Sequence, residues 1–230
     1  MSFTRQFLVR LCMLIFVLAI ALAIGAYPGG TWWDRDRIGH SFWQNFLCDL
    51  LHNPALNHSP NRFGSQMATL GMLVFVVGLC VFWSIAGRLF CCLPRLTKLI
   101  TIIGAIGTPL VAAVPLLPSN RFPRLHTASV TLGGLPAILA LVSICLGFYF
   151  EPHISRMVRA ATSGFAVLVL TCLGLYTREA VLGGASLRIL PILERIASIA
   201  TILWVLTLTR TVELRRKRTT STNSFFSTTT

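Results

Sequence analysis

FLVRLCMLIFVLAIALAIGAY, residues 7–27, carries a single charge, Arg10, and no polar break. Crossing a hydrocarbon core of about 30 Å takes roughly 20 mainly apolar helical residues, because the backbone there must satisfy its own hydrogen bonds. The run is continuously apolar rather than alternating, so it reads as a transmembrane helix and not as a barrel strand. Five further runs follow at residues 67–89, 99–117, 126–150, 157–176 and 189–209, the last weakened by Glu194 and Arg195 near its start.

Composition agrees with that reading. The chain of 230 residues is 54% hydrophobic and 12% charged, with a mean hydropathy of +0.73, too little polar surface to cover a soluble domain of this size. The expected fold class is all-α: a polytopic membrane protein, a six-transmembrane-helix bundle with a short amphipathic helix in its long first outer loop. Residues 1–212 form the six-span domain, with the outer loop at 28–66, and residues 213–230 form a basic, Ser/Thr-rich, disordered cytoplasmic tail. Short connections after spans two, three and four make consecutive helices antiparallel neighbours.

The first run has a second reading as a cleaved signal peptide, since Arg5 and Arg10 precede it and small residues follow at 21–26. Either way the chain after residue 27 lies on the translocated side. With the N-terminus inside, twelve of the 20 Lys and Arg residues flank the inner side and eight the outer, and the densest cluster is ELRRKR at 213–218. Both termini are therefore expected in the cytoplasm, in a bacterial inner or cell membrane. The net charge of +13 comes mostly from basic residues scattered singly at helix ends, a pattern that fits anionic headgroups and not nucleic acid.

Seven cysteines, at 12, 48, 80, 91, 92, 145 and 172, show no CxxC spacing and fall mostly in apolar runs, as small buried hydrophobes do. Cys91 and Cys92 follow span two on the inner side, where they are ordinary interfacial thiols or palmitoylation sites. Cys48 alone is placed outside, which argues against a disulfide within the chain.

The outer loop is far longer than a hairpin connection needs, so chemistry is sought there first. It opens with YPGGTWWDRDRIGH, residues 27–40. Pro28, Gly29 and Gly30 break the helix, Trp32 and Trp33 suit the headgroup layer, and Asp34, Arg35, Asp36 and Arg37 read as a solvated turn. In GHSFWQNFLCDLLHN, residues 39–53, the apolar residues Phe42, Trp43, Phe46, Leu47, Leu50 and Leu51 recur at close to four, defining one helical face with Ser41 as N-cap.

Ser41, Asn45, Asp49 and His52 follow spacings of four, four and three and form a polar stripe opposite that face. An interfacial helix lying on the membrane would show the same periodicity. The stripe lacks the Lys and Arg expected of such a helix, however, and its Asn, Asp and His side chains accept, donate, titrate and can bind metal. With His40 these residues are the candidate ligand-binding set. The following NPALNHSPNRFGS is a turn-rich return to span two. Elsewhere on the outer side, His126, Glu179 and Glu194 stand at helix ends from which they can converge on the loop. Gly104, Gly107, Gly133, Gly134 and Pro136 mark close packing of spans three and four.

The polar loop with FLCDL, the Asn-Pro-rich turn and the Gly-containing second span, residues 45–71, resembles bacterial six-span membrane proteins of unknown function that are similar to the DRAM and FRAG group. In that resemblance Asp49 is the matching acidic residue, while Cys48 stands where a Ser is usual. The resemblance implies an architecture and no settled reaction.

Two classes of function stay open from the sequence, with a small transporter as a third. The first is a non-enzymatic protein that binds a lipid, a small ligand or a membrane-protein partner through the outer loop. The second is a membrane-embedded lipid hydrolase with a divalent metal such as zinc, whose candidate ligands are His40, Asp49 and His126 and whose candidate catalytic residues are Asp49, His52 and His126. The chain offers no HxxxH or HxxxD pair on a span and no GxSxG around Ser41.

Overall fold

A computed structural model describes residues 2–90, 93–182 and 188–226. Cys91 and Cys92, and with them the palmitoylation question, lie outside the described residues, as does 227–230 of the tail. Among the described residues there are six α-helices, α1 (Ser2–Ala26), α2 (Arg62–Ala86), α3 (Pro94–Leu116), α4 (Pro123–Tyr149), α5 (Arg156–Leu182) and α6 (Leu190–Phe226). Each contains a segment long and apolar enough to cross a membrane, so the protein is an all-α, multi-pass six-helix bundle.

α1 to α5 start earlier than their apolar runs do, and α6 starts one residue later. α2 begins at Arg62 and α4 at Pro123, because a helix takes in polar residues at its ends where water reaches them. α3 and α4 both open on a proline, whose missing N–H is one the first turn leaves unpaired anyway. Beyond residue 212, where composition places a tail, α6 continues to Phe226.

α1 and α2 pack along a seam of small residues. A Cβ on Gly71 would lie 2.9 Å from Ala19 Cβ, and one on Gly78 would lie 2.8 Å from Cys12 Cβ. Such close approach is how helices associate where lipid supplies no hydrophobic drive. The expected packing of α3 on α4 is present at two of the four glycines, Gly107 facing Pro136 and Gly133 facing Val111 with space for no added carbon, whereas Gly104 meets Trp83 of α2 and Gly134 meets Leu173 of α5. The main core gathers Phe82, Trp83, Phe165 and Trp204, with neighbouring ring centroids 5.0–6.4 Å apart, around buried Ile144, Phe148 and Leu208. A smaller core of Phe16, Ile20, Tyr27, Leu50, Leu51 and Ala68 sits under the loop, so the loop is part of the folded body.

Candidate functional site

Residues 28–61 fold into a cap over the end of the bundle where α1 ends and α2, α4 and α6 begin. Gly30 donates to Arg37 O at 2.8 Å, and an isolated antiparallel bridge joins Gly29 to Ile38. Gly30 has φ +86°, and a Cβ there would overlap the backbone of Leu56 and Asn57, so the cap closes only with glycine at this point. Asp34 and Asp36 are exposed, as a solvated turn requires, whereas Arg35 stacks 5.1 Å from the Trp32 ring centroid and donates to Leu56 O.

The stripe departs from the sequence expectation in its backbone and agrees with it in burial. No α-helix forms at 41–52. Residues 42–44 make a turn, followed by a five-residue 3-10 helix, Leu47–Leu51. Ser41 is not a helix N-cap either, since Asn45 Oδ1 accepts from Ser41 N at 2.9 Å and Asp49 Oδ2 from Phe46 N at 2.9 Å. These side chains offer the backbone partners that an α-helix would have supplied, the usual way in which Asn and Asp compete with helix. Ser41, Asn45, Asp49 and His52 are nonetheless all buried, at 7% exposure or less.

The side chains of Asn45 and Asp49 are turned onto one another. Asn45 Nδ2 donates to Gly30 O at 2.8 Å and to Asp49 Oδ2 at 3.0 Å, and Trp32 Nε1 donates to Asp49 Oδ1 at 3.0 Å. Burial pushes the Asp49 carboxyl up to about 6, with the bonds from Asn45, Phe46 and Trp32 and the charge of Arg195 holding it from rising further. Asn61 Nδ2 clamps the end of the 3-10 helix by donating to Leu50 O and His52 O.

α6 reaches into this network. Leu47 N donates to Glu194 Oε2 at 2.9 Å, and Arg195, 3% exposed, donates to Phe42 O, Asn45 O and the Nε2 of His40 at 3.2 Å. Accepting from a guanidinium requires a neutral ring. Burial first, then Arg195 and Arg37, lower His40 to about 4. His52 is likewise lowered to about 4 by burial, then by His126 and Arg35, and its Nε2 lies 2.7 Å from Ser119 Oγ in the turn between α3 and α4.

The proposed metal set is not assembled. His40 faces Arg195, Asp49 is taken up by Trp32, Asn45 and Phe46, and His126 Nδ1 meets Leu117 O at 2.7 Å. Among the described residues, no group of three or more His, Cys, Asp or Glu side chains is placed to hold a metal ion. Of the residues expected to converge on the loop, Glu194 bonds Leu47 N, and His126 bonds Leu117 O while lying near enough to His52 to help lower it. Trp32, Asn61, Arg195 and Ser119 contribute as well, although none of them belongs to the stripe. Arg195 alone left a signal, as a charge inside an otherwise apolar run.

Beside the cap, between α2 and the α3–α4 turn, lies a groove of about 400 Å³. Asn53, Gln66, Thr69 and Arg121 line it together with Leu70 and Leu73, and no acidic residue does. Arg121 donates to Asn53 O at 3.3 Å, one use of the five N–H donors of a guanidinium. No protein-family model, curated protein or solved structure matches the chain.

Proposed function

We propose that this is a membrane protein whose cap and neighbouring turn hold an anionic phospholipid in the groove beside Arg121. The buried stripe is the frame that fixes one wall of that groove, Leu51 to Asn53. The carrying observation is the groove's amphipathic lining: one cation with polar side chains at its cap end, Leu70 and Leu73 along α2, and no opposing carboxylate. A phosphate accepts charge-assisted hydrogen bonds from a guanidinium, and acyl chains match the leucines. Leu70 is 50% exposed, as a side chain facing acyl chains would be.

In this reading the cap lies on the outer face of a bacterial inner or cell membrane, both termini are cytoplasmic, and the likeness to the DRAM and FRAG group is one of architecture. Native mass spectrometry of the protein released from nanodiscs tests it. Phospholipid should remain bound to the wild type, and Arg121→Gln should lower the anionic lipid retained at least about fivefold, the loss of roughly 1 kcal/mol expected of one charge-assisted contact near a membrane surface. Equal retention by both proteins would refute the assignment.

A further inference from the structure

The contact between His52 and Ser119 joins elements 67 residues apart and has the geometry of a nucleophile and its base. Oγ and Nε2 are 2.7 Å apart, inside the 2.6–3.2 Å reach that proton transfer requires. His52 is held from several sides: its N–H donates to Asp49 O at 3.1 Å, its carbonyl accepts from Asn61 at 2.9 Å, and its ring meets Trp32 edge-on at 6.4 Å. Ser119 is half-buried in the turn. That turn closes through the N–H groups of Arg121 and Phe122, both onto Pro118 O, so neither bond uses the N–H of Ser119 or Asn120.

The pair adjoins the groove. Leu51 and Asn53 flank His52 and line it, as does Pro118, the neighbour of Ser119. His52 Nδ1 is buried and without a hydrogen-bond partner, so the pair has no third, orienting carboxylate of the kind that completes a triad. Asp49, the nearest such residue in sequence, is committed to Trp32, Asn45 and Phe46.

We propose that Ser119 and His52 form a nucleophile–base dyad that accepts the acyl group of an ester lipid lying in the groove. The inference rests on the reading of the groove as a lipid site and adds an activity to it. Ser119 Oγ bonds to the ester carbonyl carbon while its proton passes to His52 Nε2. The tetrahedral adduct collapses by breaking the bond to the lipid alkoxide, which takes that proton and leaves as an alcohol. Water then attacks the acyl-Ser119 ester, gives a proton through the same imidazole, and releases a fatty acid with the serine restored. Without a carboxylate behind His52 the imidazolium formed in each step is poorly stabilised, so turnover is slow and covalent capture is the appropriate readout.

The full chain in nanodiscs is treated with a long-chain alkyl fluorophosphonate, and the adduct is located by peptide mass spectrometry. The expected result is phosphonylation of Ser119, lost in Ser119→Ala. His52→Gln keeps a hydrogen-bonding side chain for the turn but offers no base, so it should slow labelling at least about tenfold while the melting temperature stays near that of the wild type. Absence of an adduct on Ser119, or labelling at an unchanged rate in His52→Gln, would overturn the dyad. Lipid retention measured on the same samples separates the two readings. Retained, Arg121-dependent phospholipid with no Ser119 adduct removes the activity and leaves the binding. A His52-dependent adduct without retained phospholipid removes the lipid as acyl donor.

Discussion

His40 accepts a hydrogen bond from Arg195 at 3.2 Å, and that single contact ties the cap's folding to proton activity. A histidine whose folded pKa is depressed binds fewer protons folded than unfolded, so its stabilising contribution is full above about 6.5 and is lost as pH falls through about 4. His52, also lowered to about 4, acts in the same direction. Asp49 opposes them: raised to about 6, it contributes fully below its ordinary 3.8 and loses that contribution as pH rises through about 6. Acidification of the detergent-solubilised protein from pH 6.5 toward 4 therefore removes the stabilising contribution of both histidines, which a melting-temperature series reads by difference from a variant that lacks one of them. His40→Gln retains an acceptor for Arg195 but cannot be protonated, and its melting temperature should fall less steeply over the same pH series. An unchanged slope would mean that His40 does not set the acid response.

At the scale of elements, the seam between α1 and α2 leaves no room for an added carbon. Gly71→Val would press two methyls against Ala19, whose Cβ lies 2.9 Å from the nearest position an added carbon would take. Overpacking of this kind costs about 1–3 kcal/mol, to be read from unfolding in mixed micelles, whereas Gly164→Ala on α5, where nothing lies within 4 Å, should be close to neutral. The six spans were legible in the sequence because hydrophobic length alone decides them. The spacing of Ser41, Asn45, Asp49 and His52 correctly marked residues that share one buried environment. It failed for the backbone, since Asn45 and Asp49 bond main-chain N–H groups and stop the α-helix their spacing suggests. It failed for partners too: Glu194 and Arg195 meet the cap from 147 to 155 residues away, and periodicity carries no information across such distances. Ser119, in a connecting turn with no pattern, left no trace at all.

Across the whole molecule, α6 is fastened at both ends of its apolar span, Leu190–Arg215. At the cap end Arg195 holds the loop, while at the other Arg215 pairs with buried Glu151 at 3.1 Å and donates to Leu89 O, and Glu213 pairs with Arg10 of α1. Twenty residues separate Arg195 from Arg215, roughly 30 Å at 1.5 Å per helical residue. Over that distance Arg195→Gln and Glu151→Gln should destabilise independently, their effects adding to within about 0.5 kcal/mol in a double-mutant cycle. A coupling above about 1 kcal/mol would instead mean that α6 shifts as one body when either end is released.

The Glu194 and Arg195 contacts also impose an order of events on synthesis. The cap emerges early, whereas the side chains that fasten it come 147 residues later, roughly 7–30 s at ordinary elongation rates. Until the last helix enters the bilayer, Asn45 O, His40 and Leu47 N lack their partners on α6. α6 is therefore the latch that closes a lid synthesised well before it.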